Sequence, residues 1–101
     1  SIVLNSFLCK PPIYRTTPFM REICDLIVAV NRPYRKSDYI PIICWGKTAR
    51  YAADFIIGTQ CMITGRLQSR TYKKRMDTGE VHSRIAYEVS AIKIERCMPY
   101  I

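Results

Sequence analysis

The sequence is poor in several things at once. It holds four glycines, one tryptophan and one histidine, and its eight acidic residues face sixteen basic ones. No stretch approaches the roughly 20 apolar residues that a membrane span needs, which excludes a membrane-spanning helix. The opening SIVLNSF lacks the basic start and small-residue cleavage site of a secretory leader. The five cysteines are odd in number and contain no CxxC pair, which argues against a disulfide frame or a zinc site. Cys24, Cys44 and Cys61 each sit inside an apolar run, as reduced buried thiols of a cytoplasmic protein do. His82 has no thiol or carboxylate spaced to share a metal, so no metal and no cofactor is expected. Paired carboxylates, a nucleophile beside a base and a phosphate-cradling glycine loop are all missing, so the chain does not read as an enzyme. The shortage of acid leaves a net charge of +8 and a pI near 9.5. Such an excess suits an anionic partner, nucleic acid being the commonest, although solubility alone can also account for it.

What is present is alternation. The 101 residues suit one domain, 1–101. An apolar run at 2–8 ends at Lys10-Pro11-Pro12, where proline marks a strand end or bend. In REICDLIVAVN the even positions Cys24, Leu26, Val28 and Val30 are all apolar, which predicts a strand with its even face on the core. The proline, serine and charges of 32–38 predict a loop, and a third strand follows over 39–45. Alanines with Tyr51 and Phe55 at helical spacing predict a short helix over 48–55, packed on the barrel and stopped by Gly58. A long alternating strand over 60–72 points Cys61, Ile63, Gly65 and Leu67 inward. An Asp77-Thr78-Gly79 turn leads to a last strand over 81–94, with a bulge near Ser90-Ala91 where the apolar parity changes. Strand, strand, strand, helix, strand, strand is the layout of an OB-fold: all-β, a five-stranded barrel with one short helix between the third and fourth strands. An SH3-like barrel is the rival, and it usually lacks that helix.

Parity also selects a face. In YIPIICW, Ile40, Ile42 and Cys44 form one side, and Tyr39, Pro41, Ile43 and Trp45 the other. A small barrel has one inside, so the side with the large rings is expected outside. The fourth strand turns Arg66, Arg70 and Tyr72 the same way, and arginines rarely face a small core. Loops add Arg32, Tyr34, Arg35 and Lys36 at one place and Lys73, Lys74 and Arg75 at another. Rings that stack on unpaired bases, interleaved with cations that meet phosphates, describe a groove for single-stranded nucleic acid. Plainer readings exist: Trp45 as a core residue, Tyr72 as a barrel cap, and Lys73 to Arg75 as a solvated hairpin tip.

Five segments then carry a resemblance: AVNR (29–32), DYIPIICWGKTA (38–49), GRLQSRTY (65–72), DTG (77–79) and EVSA (88–91). In their order and spacing they resemble the bacterial single-stranded DNA-binding protein family over about 12–94. The resemblance implies an OB-fold that binds single-stranded DNA with little sequence preference in replication, recombination and repair. It implies a homo-oligomer, tetramer or dimer, in the bacterial cytoplasm and associated with the nucleoid. Bases would stack on Tyr34, Tyr39, Trp45 and Tyr72. Phosphates would meet Arg32, Arg35, Lys36, Lys47, Arg66, Arg70, Lys73, Lys74 and Arg75. Two features depart from the family pattern. Ser6-Phe7-Leu8 stands where the family has Gly-Asn-Leu, and the chain ends ERCMPYI in place of an acidic tail. A tail that was removed, or a tail-less relative, fits that ending, and partners recruited by a tail are not assigned. The alternatives are a primosomal-type OB-fold module that docks protein, and a binder of single-stranded RNA.

Overall fold

A computed structural model describes residues 1–97; the ending at 98–101 lies outside the described residues. Six strands and one helix follow each other: β1 (Ile2–Leu8), β2 (Ile13–Thr16), β3 (Glu22–Arg32), β4 (Lys36–Trp45), α1 (Gly46–Ala53), β5 (Gln60–Arg75) and β6 (Val81–Arg96). The sheet order is β1-β5-β6-β4-β3-β2, and a β1–β3 pairing at Phe7–Ala29 and Leu8–Val28 closes five of the strands into a barrel. This is the expected five-stranded OB-fold, with its short helix between the third and fourth barrel strands.

Alternation builds the core. Cys24, Leu26 and Val28 from β3, Ile42 and Cys44 from β4, Cys61 and Ile63 from β5, and Val89 from β6 are all sealed from solvent. Ala49 and Ala52 of α1 and Phe55 just beyond it join them at one end of the barrel. Tyr51 lies edge-on to Phe55 at 5.1 Å, and its hydroxyl accepts from the Arg96 amide at 3.2 Å. Ser6 is buried among these groups without penalty, because its hydroxyl donates to the Cys61 carbonyl at 3.0 Å. Gly65 has a steric reason to be glycine. A Cβ there would run into the Ser90 carbonyl and lie 2.8 Å from Val89 Cγ1.

Several expectations shift. Ile13–Thr16, left unassigned by its pattern, is a strand on the outer edge of β3. The expected loop at 32–38 is a hairpin whose ladder runs to Arg32–Lys36, and only Pro33–Arg35 turn, as one 3-10 turn with Tyr34 and Arg35 at φ 67° and 61°. The helix starts at Gly46, two residues early. Pro41 sits inside a strand because β4 meets β6 only at Ile42 and Ile43, so the proline has no ladder to break on that side. The β6 irregularity lies opposite the Thr64–Gly65 step, where Lys93 and then Ala91 are the partners and Ile92 is extra.

The largest departure is Leu67. Its parity is inward, but it is exposed, as are its companions Val81, Ile85 and Tyr87. Past the Leu67–Val89 pair, β5 and β6 leave the barrel together, so inward parity there faces no core. The β3–β4 hairpin projects likewise. Parallel pairing of β4 with β6 sends both arms out of the same end of the barrel. They stretch the molecule to 54 × 41 × 25 Å, with a radius of gyration of 15.1 Å against about 13 Å for a compact 100-residue domain.

Candidate nucleic-acid interface

Cross-strand partners share a sheet face, so the register defines the outer surface. One row crosses it from Arg15 of β2 through Ile23 of β3 to Trp45 of β4. A second runs from Asp25 through Ile43 and Ser90 to Arg66 of β5. Tyr39 lies on the same face of β4, six residues and about 20 Å from Trp45. Arg70 and Tyr72 continue the face along the β5 arm, with Arg84 opposite Tyr72. Trp45, Tyr39, Arg66, Arg70 and Tyr72 therefore occupy one continuous surface.

The rings differ in how open they are. Tyr34 is 93% exposed at the tip of the β3–β4 arm, Tyr39 68%, Tyr72 45% and Trp45 39%. Ile43, which shares the outward parity, is buried, held between Asp25 and Ser90 in its row, and so is Ile23 between Arg15 and Trp45. The outer face is thus partly a small apolar floor, with Trp45 at its edge. That leaves the ring half covered and half open, between the core and surface readings.

The cations fall into two groups. Arg35, Lys36, Lys73, Lys74 and Arg75 are exposed on the two arms at one end, and Lys47 is exposed beside Trp45 at the other. At that second end α1 begins at Gly46 with no side-chain cap and no acidic residue in its first turn, so the positive end of its dipole adds to Lys47. Two of the arginines are not free. Arg32 Nε pairs with Asp38 at 2.9 Å, and Arg70 Nε lies 3.6 Å from the largely buried Glu88. Their positive charge is partly spent inside the protein, which composition could not reveal.

The pattern of residues also passed over some groups. Phe19 and Met20 stand 88% and 83% exposed in the β2–β3 turn. Met20, Arg21 and Glu22 line a cleft of about 420 Å³ with Trp45 and Gly46. The available signal was PFMR, two large apolar residues where a turn was due. Arg84 stands alone between Ser83 and Ile85, with no run of cations to mark it, although its even number sets it on the Tyr72 face.

The thiols sit apart from this surface. Burial pushes Cys24 up to about 11 and Cys44 up to about 12, and it raises Cys61 as well. All five cysteines are free. Among the described residues, no cluster of three His, Cys, Asp or Glu could hold a metal, and no helix is long and apolar enough to cross a membrane.

The sequence matches the model of the single-strand binding protein family over residues 1–97. The chain belongs to that family. A relative named single-stranded DNA-binding protein 2, from Listeria innocua serovar 6a, is 34% identical over 79 residues, covering 71% of this chain and 50% of the relative. Single-stranded DNA-binding protein 3 of Clostridium acetobutylicum is 31% identical over 94 residues, covering 86% and 65%. The single-stranded DNA-binding protein of Halalkalibacterium halodurans is 30% identical, covering 97% and 60%. The chain thus spans about half to two thirds of the length of these relatives. The family is a non-catalytic one.

Proposed function

We propose that this chain, 1–101 as one domain, binds single-stranded DNA without strong overall sequence preference. The observation that carries the reading is the shared outer face of Trp45, Tyr39, Arg66, Arg70 and Tyr72. Bases stack on Tyr34, Tyr39, Trp45 and Tyr72, each contributing about 1–3 kcal/mol. Phosphates meet Arg35, Lys36, Lys47, Arg66, Lys73, Lys74 and Arg75, with Arg32 and Arg70 contributing the donors their carboxylate partners leave free. A duplex hides its base faces and offers nothing to the rings, so an unpaired strand is the ligand.

Such a protein has no chemistry of its own. It covers strands opened in replication, recombination and repair, in the bacterial cytoplasm at the nucleoid. Family membership supports this reading. So does the apolar surface that a homo-oligomer, dimer or tetramer, would cover: Val3 and Phe7 on β1, and Leu67, Ile85 and Tyr87 on the β5–β6 arm. Fluorescence anisotropy of labelled oligo-dT, with duplex DNA and oligo-U as competitors, tests the reading. Binding displaced by neither competitor at equal concentration supports it. Equal displacement by oligo-U turns it into an RNA binder, and no anisotropy change turns it into a protein-docking module.

A further inference from the structure

The turn between β2 and β3 carries apolar side chains where a turn usually carries polar ones, and it carries them on a built frame. The Thr17 amide donates to the Arg21 carbonyl at 2.8 Å, the Met20 amide to the Thr17 carbonyl at 2.9 Å, and the Arg21 amide to the Thr17 hydroxyl at 3.1 Å. Pro18 adds a fixed φ. Met20 adopts φ 63°, the left-handed position that glycine usually fills in such a hairpin loop. A non-glycine residue held there is strained, and strain of this kind collects at ligand-contacting segments. The frame thus presents Phe19 at 88% exposure and Met20 at 83%.

Position and charge indicate what the tip meets. The last ladder pair of β2 and β3, Thr16–Glu22, adjoins the row that holds Trp45. Met20 also shares with Trp45 a cleft of about 420 Å³, so the apolar tip continues the Trp45 end of the outer face. Arg21 and Lys47 are exposed at this junction, and neither forms an ion pair among the described residues. The acid in the cleft, Glu22, is matched by Arg50 at 3.0 Å. Exposed apolar surface rimmed by charge marks an interaction site, and unmatched cations beside a ring suit bases joined by phosphates.

We propose that the β2–β3 turn is a fifth base-contacting platform: a base beyond the one on Trp45 stacks on Phe19, Met20 packs between the two bases, and Arg21 meets the phosphate that joins them. The inference rests on the single-stranded DNA reading above and carries the bound strand past Trp45. The contact is indifferent to sequence, because every base has a face to stack.

Anisotropy of labelled oligo-dT at low salt tests it with variants of two exposed side chains. Phe19→Ala should bind about tenfold more weakly, the size of one lost stack, at an unchanged melting temperature. Phe19→Leu should be nearly as weak, since leucine is apolar but has no ring, and Phe19→Tyr should bind as the wild type does. Met20→Gly relieves the backbone, and should weaken binding several-fold with a melting temperature no lower than that of the wild type. Phe19→Trp in a Trp45→Phe background puts the only tryptophan on the turn, and oligo-dT should quench its emission. Wild-type affinity in Phe19→Ala, Phe19→Leu or Met20→Gly, or unquenched emission while anisotropy reports binding, overturns the proposal and leaves the tip to a protein partner. Failure of the wild type to bind oligo-dT would instead overturn the DNA reading beneath it.

Discussion

Arg70 reaches Glu88 at 3.6 Å across β5 and β6, and the carboxylate side chain is only 10% exposed while the guanidinium is 65% exposed. One arginine therefore has two tasks. It neutralises a shielded carboxylate, and it offers its remaining donors to the outer face. Arg66, four residues earlier on the same face, forms no ion pair among the described residues.

The two should separate by mutation. Arg70→Ala leaves Glu88 without its partner and should lower unfolding free energy by about 1–3 kcal/mol. Arg66→Ala should change stability by under about 0.5 kcal/mol, as surface substitutions do. Each should reduce the dependence of log affinity on log salt by about 0.7. Urea denaturation and binding titrations at several salt concentrations check both variants.

Gly65 is held by Ser90 and Val89 rather than by its dihedral angles. Gly65→Ala pushes a methyl into the Ser90 carbonyl, and should destabilise by about 1–3 kcal/mol, the usual penalty for overpacking. Thermal unfolding measures it. An unchanged melting temperature would mean that β5 and β6 part easily at the bulge.

The core of the barrel was readable from alternation because β3, β4 and the first half of β5 obey a single inside. Cys24, Leu26, Val28, Ile42, Cys44 and Ile63 are buried as their positions require. The same rule misled at Leu67, since parity tells which side a residue faces but not whether anything is there. The hairpin at 32–38 carries a loop's composition because its strand residues are polar or charged: in an arm that meets solvent on both faces, no apolar pattern marks a strand. Rings and cations on the outer face could be read individually. The pairings of Arg32 with Asp38 and Arg70 with Glu88 could not, because they depend on register and rotamer, and the cleft beside Trp45 depends on where a turn folds back.

The arms give a proteolytic signature. Lys73, Lys74 and Arg75 are exposed on a hairpin with no core beneath it, so trypsin should cut there first in the free protein. Saturating oligo-dT should slow this cleavage at least several-fold. Mass spectrometry of timed digests locates the cut, and equal rates with and without DNA would remove these residues from the interface.

The buried thiols give a pH signature. Cys24 and Cys44 are raised from 9.0 to about 11 and about 12 by burial. In the unfolded chain they ionise near their ordinary value, so above it the folded state binds more protons. Stability is therefore fully present below about pH 9 and falls as pH rises towards 11 to 12. At pH 8, iodoacetamide should label Cys9 and Cys97, which are half-exposed, well before Cys24, Cys44 and Cys61. Denaturation series across pH 8–11 and peptide mapping read the two effects.

Trp45 is the chain's single tryptophan, so its fluorescence reports from one place on the proposed surface. The most direct test is to titrate the wild type with oligo-dT at low and high salt while following that emission. Strong quenching at low salt, with affinity falling steeply as salt rises, is the expected result. A Trp45→Phe variant should then bind more weakly by about 1 kcal/mol while unfolding at nearly the wild-type temperature. Emission that stays unchanged at low salt while oligo-dT is added in excess would contradict the account.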